Sequence, residues 1–428
     1  MHLVIVTCEL ATSKYPSGGL ASFTANLARI FKRNGHKVTI VLSLTKDETI
    51  TFDKEITIKK TYVDKKLWNR FHAESAIIAE ITGENRDEIR KFMVNLYKSE
   101  QIKSAIDEIK AEEKIDIIHA CHLSSLSVRF GDDVPYVVRL SSYMNIWNGA
   151  ELLCGSVNFA ENPLSINNKL EIYNLKKSKY IVSPSNLLAE TGREYIGIDP
   201  VVIESPFVLY KDDWDYSVYD VLARGKKYII HYGRLGYLKG THIIAHIAKR
   251  ILEKYSDFTI LLVGNSTEMV DEKGNSVLAH KLVQAEAEEY SDRVIYAGVL
   301  VREQLYPLIQ NAQLCLLPSR IENLSNACIE AMAMGKVVVA TNGASYEQLI
   351  DDKVSGYLCE RDNPESFLQA VEEVLSMDLD AKRQMELAAA RQVERLAPDV
   401  IYQKYNEYYQ KVIHEWKIAK KENDGKSC

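Results

Sequence analysis

LCLLPSRIENLSNACIEAMAMGKVVVATNGASYE, residues 314–347, decides the fold class. LCLLPS is a short apolar run with the character of a buried strand. RIENLS is polar and reads as the loop at its carboxyl end. NACIEAMAM carries a helical pattern closed by Gly335 in a C-cap role. VVVA is the next strand. A strand, a crossover helix and a second strand form the unit of a parallel sheet.

The same unit recurs outward in both directions. The amino-terminal half opens with a strand at Leu3 to Thr7, then a loop with Pro16, Gly18 and Gly19. A helix follows with apolar residues at Leu20, Phe23, Leu27, Ile30 and Phe31, stopped by Gly35, before a strand at Val38 to Leu42. Further strands are predicted at Ile115 to His119, Tyr136 to Leu140, Tyr180 to Val182 and Val201 to Ile203. A charged, helix-rich stretch from Lys65 to Glu113 decorates this sheet. In the second half, strands are predicted at Tyr228 to Tyr232, Phe258 to Val263, Val294 to Ala297, Leu314 to Leu317, Val337 to Ala340 and Gly356 to Cys359. The polar stretch Tyr210 to Lys226 reads as a connector.

The expectation is therefore an α/β chain of two facing, Rossmann-like, doubly wound domains. Residues 1–208 form the first and 209–397 the second. Residues 398–428 give a Tyr-rich helix crossing back to the first domain and a polar tail whose last eight residues fray. Ligands of such sheets bind outside the carboxyl ends of the strands, which points to the cleft between two apposed sheets.

With 428 residues, 46% of them hydrophobic, the chain can bury more than one core. The net charge of -6 argues against general affinity for nucleic acid. Seven cysteines without CxxC or Cys/His spacing read as reduced buried thiols of a cytoplasmic protein. The start, MHLVIVTCEL, lacks the basic region of a signal peptide. No run approaches the ~20 apolar residues that span a bilayer. The basic helix end at Arg29, Lys32, Arg33 and Lys37 has two readings: contact with an anionic membrane surface, or a solvated end complementing the helix dipole.

Four clusters could carry chemistry. Glu322 falls in the loop after a buried strand, and Glu330 lies two turns into an apolar helix. A carboxylate there needs a partner, which a pair of ribose hydroxyls would supply by bidentate hydrogen bonding. The helix start near Ser325 and Asn326 favours an anion. Arg234 and Lys239 leave a strand end together and could neutralise a diphosphate leaving group. Gly18 and Gly19 let backbone approach a ligand just before a helix, and the absence of GxGxxG there disfavours a dinucleotide. His119, Cys121 and His122 lie at a strand end, where a histidine could bind a sugar hydroxyl. Their alternation across the strand disfavours a Cys/His nucleophile. Each cluster alone admits a plainer reading as loop, turn or solvated surface. Asp213/Asp215 and Asp378/Asp380 read as surface residues rather than a metal site.

Together these residues resemble the retaining glycosyltransferases of family 4, glycosyl transferases group 1, with the GT-B fold. The E-x7-E motif of that family matches Glu322 and Glu330. Its GR…KG motif matches Gly233, Arg234, Lys239 and Gly240, and its Gly-Gly loop matches Gly18 and Gly19. EAMAMGKVVVAT is similar to the family run EAMA-GxPVVAT, with Lys336 where proline is usual. Glu347 and DDKVSGYL also match. The chain departs from the family at Cys121, where a histidine is frequent, with His122 beside it. It departs again at IESPF (203–207), which lacks an asparagine before the proline.

The resemblance implies transfer of a sugar from a nucleotide diphosphate sugar, expected as UDP-sugar, to an acceptor hydroxyl in cell-surface polysaccharide or glycoconjugate synthesis. It implies Glu330 on the ribose, Glu322 on a donor-sugar hydroxyl, and Arg234 and Lys239 on the diphosphate. Backbone donors would come from Asn323, Leu324 and Ser325, with Gly18 and Gly19 completing the donor site and His122 joining the catalytic set. No cofactor and no metal are implied beyond the donor itself. The acceptor, saccharide, lipid-linked or other, would meet the first domain, including Arg139 to Trp147. The expected location is the cytoplasm, at the inner face of the membrane if the basic helix end binds there. Two alternatives stay open: a non-catalytic GT-B subunit supporting a partner glycosyltransferase, and a nucleotide-sugar epimerase.

Overall fold

The computed structural model describes residues 1–12, 18–143, 164–209, 213–271 and 274–426. The chain divides into two units, with boundaries after Pro206 and after Ala397.

The first unit runs β1 (His2–Thr7), α1 (Gly19–Arg33), β2 (Lys37–Leu44), β3 (Thr57–Tyr62), α2 (Lys65–Thr82), α3 (Arg86–Glu112), β4 (Ile117–Cys121), β5 (Tyr136–Arg139), α4 (Ile166–Lys177), β6 (Ile181–Ser183), α5 (Asn186–Thr191) and β7 (Val201–Val202). Its strands lie in the order β3-β2-β1-β4-β5-β6-β7, and every pairing is parallel. A parallel strand is covered on both faces, so its sequence is a continuous apolar run. Accordingly all six residues of β1 are buried. The strand order reverses between β1 and β4, where Ile5 sits beside His119 and Val6 beside Ala120.

The C-terminal helix, Pro398–Lys426, belongs to this first unit. It packs on α1 through Phe31, whose ring lies 5.1 Å from Tyr402 and 5.4 Å from Tyr409. Tyr409 OH lies 2.7 Å from His119 Nδ1, and Arg139 Nη1 donates to Tyr405 OH at 3.2 Å. His119 therefore fixes one face of the sheet as the side of α1 and this helix. Burial, then the nearby Arg139 charge, push the His119 imidazole down to about 3, so it stays neutral against the tyrosine. The opposite face is covered by α3 and α4, which join through Asn95 and Asn167 at 3.2 Å.

The second unit runs α6 (Ser217–Leu222), β8 (Lys227–Tyr232), α7 (Thr241–Lys254), β9 (Phe258–Val263), β10 (Glu268–Val270), β11 (Ser276–Leu278), α8 (Ala279–Glu286), β12 (Val294–Tyr296), α9 (Arg302–Gln310), β13 (Leu314–Leu317), α10 (Asn326–Ala333), β14 (Val338–Thr341), β15 (Tyr357–Cys359), α11 (Pro364–Ser376) and α12 (Leu379–Glu394). The main sheet, again all parallel, has the order β12-β9-β8-β13-β14-β15. Its reversal falls between β8 and β13, where Ile229 pairs with Leu314. The apolar face of α7 (Ile243, Ile244, Ile247, Ile251) joins β9 and Phe367 of α11 in one core.

Four features differ from the sequence expectation. β3, TIKKTY, is an edge strand whose lysines break the apolar run, a common way to protect a sheet edge. The antiparallel hairpin β10–β11 is short and mostly exposed, so no alternation marks it. The stretch read as a connector contains α6, and Asp215 ties it to α9 through its amide to Glu303 O at 2.9 Å and through Gln304 at 3.1 Å. The terminal helix runs to Lys426, so residues 421–426 of the expected polar tail are helical.

The basic end of α1 is matched by acids. Arg29 pairs with Asp53 at 2.9 Å, Lys32 with Glu55 at 3.8 Å, Arg33 with Asp399 and Lys37 with Glu113. That favours the solvated reading of this cluster over an anion-seeking patch. Among the described residues no helix is long and apolar enough to cross a membrane. Cys8, Cys121, Cys315, Cys328 and Cys359 are free thiols, all but Cys8 buried.

Candidate active site

The site in the second unit sits at the reversal point of its sheet, where turns after β8 and β13 leave side by side. Two close approaches join them. Gly240 has φ 70°, and a Cβ there would lie 1.8 Å from Pro318 O, so no other residue fits without backbone movement. The Arg320 amide donates to Leu238 O at 2.9 Å. These contacts bring Lys239 to Glu322. Its Nζ lies 2.5 Å from Glu322 Oε1, with the two side chains 27% and 12% exposed.

Glu322 is held from several sides. Its amide donates to Ala344 O at 3.1 Å, and its Oε1 also accepts from Ser319 Oγ at 2.8 Å and Tyr346 OH at 3.4 Å. Burial and then the Glu322 charge push the Tyr346 phenol well above its usual value, so it remains a donor. Tyr346 is aimed by Ser345, which takes a left-handed φ of 74° and donates from Oγ to Asn323 O. A non-glycine residue in that region is uncommon and marks a constrained loop.

Glu330 lies in α10, whose N-cap is Ser325, with Oγ accepting from the Cys328 amide at 3.4 Å. Tyr306 OH from α9 donates to Glu330 Oε1 at 3.2 Å. One edge of Glu330 stays partly open, yet the protein packed around it pushes its carboxyl up to about 7. The Arg302 charge and the Tyr306 hydroxyl pull the other way, and burial wins. Leu324 and Ser325 are buried at the loop leading into α10, while Asn323 is half-buried. Arg234 is exposed just beyond β8, after Gly233 at φ 119°.

The structure thus joins Lys239 with Glu322 and sets Glu330 and Arg234 on neighbouring elements of the same unit. Gly18, Gly19 and His122 belong to the first unit. Gly18 is the N-cap of α1 and Gly19 its first residue; Tyr15 to Ser17 of that loop, and residues 144–147 of the proposed acceptor segment, lie outside the described residues. His122 was expected in the catalytic set, but it is 0% exposed. Its Nδ1 lies 3.0 Å from the Ser141 amide, and its Nε2 lies 3.1 Å from Glu171 Oε1. Both ring nitrogens are engaged within the first unit.

Sequence reasoning missed Tyr306, Ser319 and Tyr346, which complete the two carboxylate sites. It also missed Arg320, 4% exposed, which meets Asp362 at 3.1 Å and locks the loop after β13. No periodicity flags these residues, because each acts across a loop. Asp215 accepts from the Ser217 amide at 2.9 Å and Asp378 caps α12. Among the described residues no group of three or more His, Cys, Asp or Glu could hold a metal ion.

Residues 217–392 match the family Glycosyl transferases group 1. A glycosyltransferase of Methanocaldococcus jannaschii, MJ1607, is 23% identical over 387 residues, 88% of this chain and 89% of that protein. Other curated glycosyltransferases align over less than half of their own length, 42%, 34% and 38% in three cases. Among solved structures, sucrose-phosphate synthase from Thermosynechococcus elongatus has a TM-score of 0.70 at 16% identity, covering 97% of this chain and 99% of that one. HepE of Anabaena, in complex with UDP and glucose, has a TM-score of 0.64 at 15% identity, covering 96% and 100%. Two parallel Rossmann-like sheets with these neighbours define a GT-B fold, and the class is that of the glycosyltransferases. Within that class, the second unit carries a Glycosyl transferases group 1 domain.

Proposed function

We propose that this chain moves a sugar from a nucleotide diphosphate sugar to an acceptor hydroxyl with retention of anomeric configuration. The observation that carries the reading is the Lys239–Glu322 pair at the reversal point of the second sheet, with Glu330 one helix turn beyond the loop. Carboxyl ends of strands at such a point are where open α/β sheets take ligands. Glu330 binds the ribose diol, Glu322 a donor-sugar hydroxyl, and Arg234 and Lys239 the diphosphate. As the glycosidic bond breaks, negative charge grows on the departing phosphate, and the two cations stabilise it where it develops. The acceptor hydroxyl attacks from the face the phosphate leaves, and its proton passes to that phosphate. Neither glutamate needs to transfer a proton, so catalysis is positioning plus charge stabilisation.

UDP is the nucleotide we assign, supported by the UDP in the HepE complex; cell-surface glycan synthesis is the setting we assign, supported by the similarity to a lipopolysaccharide N-acetylglucosaminetransferase of Salmonella typhimurium. The test is thermal stabilisation by UDP, GDP and ADP, followed by mass spectrometry of products from a donor and acceptor screen. A ligand at ~100 times its Kd adds about 2.7 kcal/mol of stability, which is easily read. No stabilisation by any of the three would overturn the proposal.

A further inference from the structure

Glu171 is a buried carboxylate that nothing above uses. It lies in α4, 6% exposed, and neither of its oxygens accepts a hydrogen bond of good geometry from the described residues. Among the described residues, His122 faces it with Nε2 at 3.1 Å from Oε1. The helix beneath it is fixed rather than loose. Ser165 and Asn168 form a capping box, Ser127 Oγ donates to Asn174 Oδ1 at 2.9 Å, and Lys177 donates to Val128 O at 2.9 Å and Phe130 O at 2.7 Å.

The His122 ring has no nitrogen to spare. Nδ1 lies 3.0 Å from the Ser141 amide and 3.1 Å from Arg139 O, while Nε2 lies 3.1 Å from Glu171 Oε1 and 3.4 Å from Ser142 Oγ. Nε2 can serve at most one carboxylate oxygen, and Oε2 has no donor among the described residues. A buried carboxylate short of donors is costly, and it is resolved by water or by a ligand hydroxyl. The place favours the ligand: His122 follows β4 directly, beside β1, at the reversal point of the first sheet.

We propose that Glu171 is the hydroxyl-binding group of the first unit, accepting a hydrogen bond from a sugar hydroxyl, with His122 as the positioning residue that aims it. The proposal rests on the glycosyl-transfer reading, and the sugar is either the donor's or the acceptor's. The full chain, Glu171→Gln, Glu171→Asp and His122→Gln are compared. Ligand-observed NMR is run with the methyl α-pyranosides of glucose, galactose and mannose and with N-acetylglucosamine. Donor hydrolysis and transfer are measured in parallel, and UDP, GDP and ADP stabilisation reports on the second unit.

The expected result is loss of about tenfold or more in sugar affinity for Glu171→Gln, a smaller loss for Glu171→Asp, and retention within about threefold for His122→Gln, whose amide can still donate to the carboxylate. A change in donor hydrolysis assigns the hydroxyl to the donor, and a change confined to transfer assigns it to the acceptor. Unchanged binding in Glu171→Gln, with a buried water only at Oε2, overturns the proposal. So does equal loss in His122→Gln, which would put the ring itself on the sugar, and so does the absence of any pyranoside binding to the full chain. If nucleotides fail to stabilise while the sugar responses hold, it is the glycosyl-transfer reading that fails.

Discussion

Glu330→Gln should make the empty protein more stable and its nucleotide binding worse. The carboxyl is raised from its ordinary 4.5 to about 7 because burial disfavours its charged form. At ~1.4 kcal/mol per pH unit, ionising it in the empty protein costs about 3 kcal/mol. The sign follows from the raised value. The stability linked to this group is fully present below pH 4.5 and is lost as pH rises through about 7. Glutamine never ionises and can still accept from Tyr306. The variant should therefore match the parent near pH 5 and exceed it near pH 8 by up to about 3 kcal/mol, several degrees in Tm. Binding runs the other way. Ribose hydroxyls donating to a charged acceptor contribute ~1.5–3 kcal/mol, so Kd for UDP should rise about 10- to 100-fold in the variant. In the parent alone, affinity should also fall as pH drops below about 7. Uridine serves as a control for titration of the phosphate. The assays are thermal unfolding from pH 5 to 9 and calorimetry over the same range. Parallel Tm curves for the two proteins, or an unchanged Kd in Glu330→Gln, would refute the account of this carboxylate.

Three further outcomes test the frame around that site. Lys239→Ala should lower transfer by about 10²- to 10³-fold, the size of losing one stabiliser of a developing anion, with the helical signal in circular dichroism unchanged. Gly240→Ala should lose on the order of 3 kcal/mol in chemical denaturation, since its Cβ would meet Pro318 O at 1.8 Å on a backbone of φ 70°. Tyr409→Phe should lose about 1 kcal/mol by the same measurement, because it removes the 2.7 Å bond to the neutral His119 imidazole without opening a cavity.

The alternation of strands and helices in both halves was legible because parallel strands are buried on both faces and read as apolar runs. β1 and β13 are clear cases. β3 was illegible for the opposite reason: as an edge strand it needs polar residues, and Lys59 and Lys60 look like loop. At the site, Glu322, Glu330, Arg234 and Lys239 stood out because they follow strands or sit in apolar helices. Their partners did not. Tyr306 reaches Glu330 across 24 residues, and Lys239 reaches Glu322 across 83, so only the sheet order makes them neighbours. His122 is legible only in part. Its position after β4 was read correctly, but sequence carries no sign that α4 would return Glu171 against its ring.

The Lys239–Glu322 contact adds a constraint that spacing could not supply. A lysine free to meet a diphosphate and a glutamate free to meet a hydroxyl would each leave a partly buried charge unbalanced in the empty site, which is costly. Paired at 2.5 Å, each compensates the other until a ligand arrives. On the proposed reading, a donor brings phosphate oxygens to the ammonium and a hydroxyl to the carboxylate, so both partners gain bonds without either being abandoned. A nucleotide lacking the sugar supplies only the first of these. The hydroxyl donated by Tyr346 and that of Ser319 remain on Glu322 in either case, which keeps its carboxylate in place between turnovers. The same logic separates the two carboxylates: Glu322 has an ammonium and two hydroxyls in the empty protein, whereas Glu330 has one hydroxyl and a raised carboxyl, and so stands to gain more from the arriving ribose.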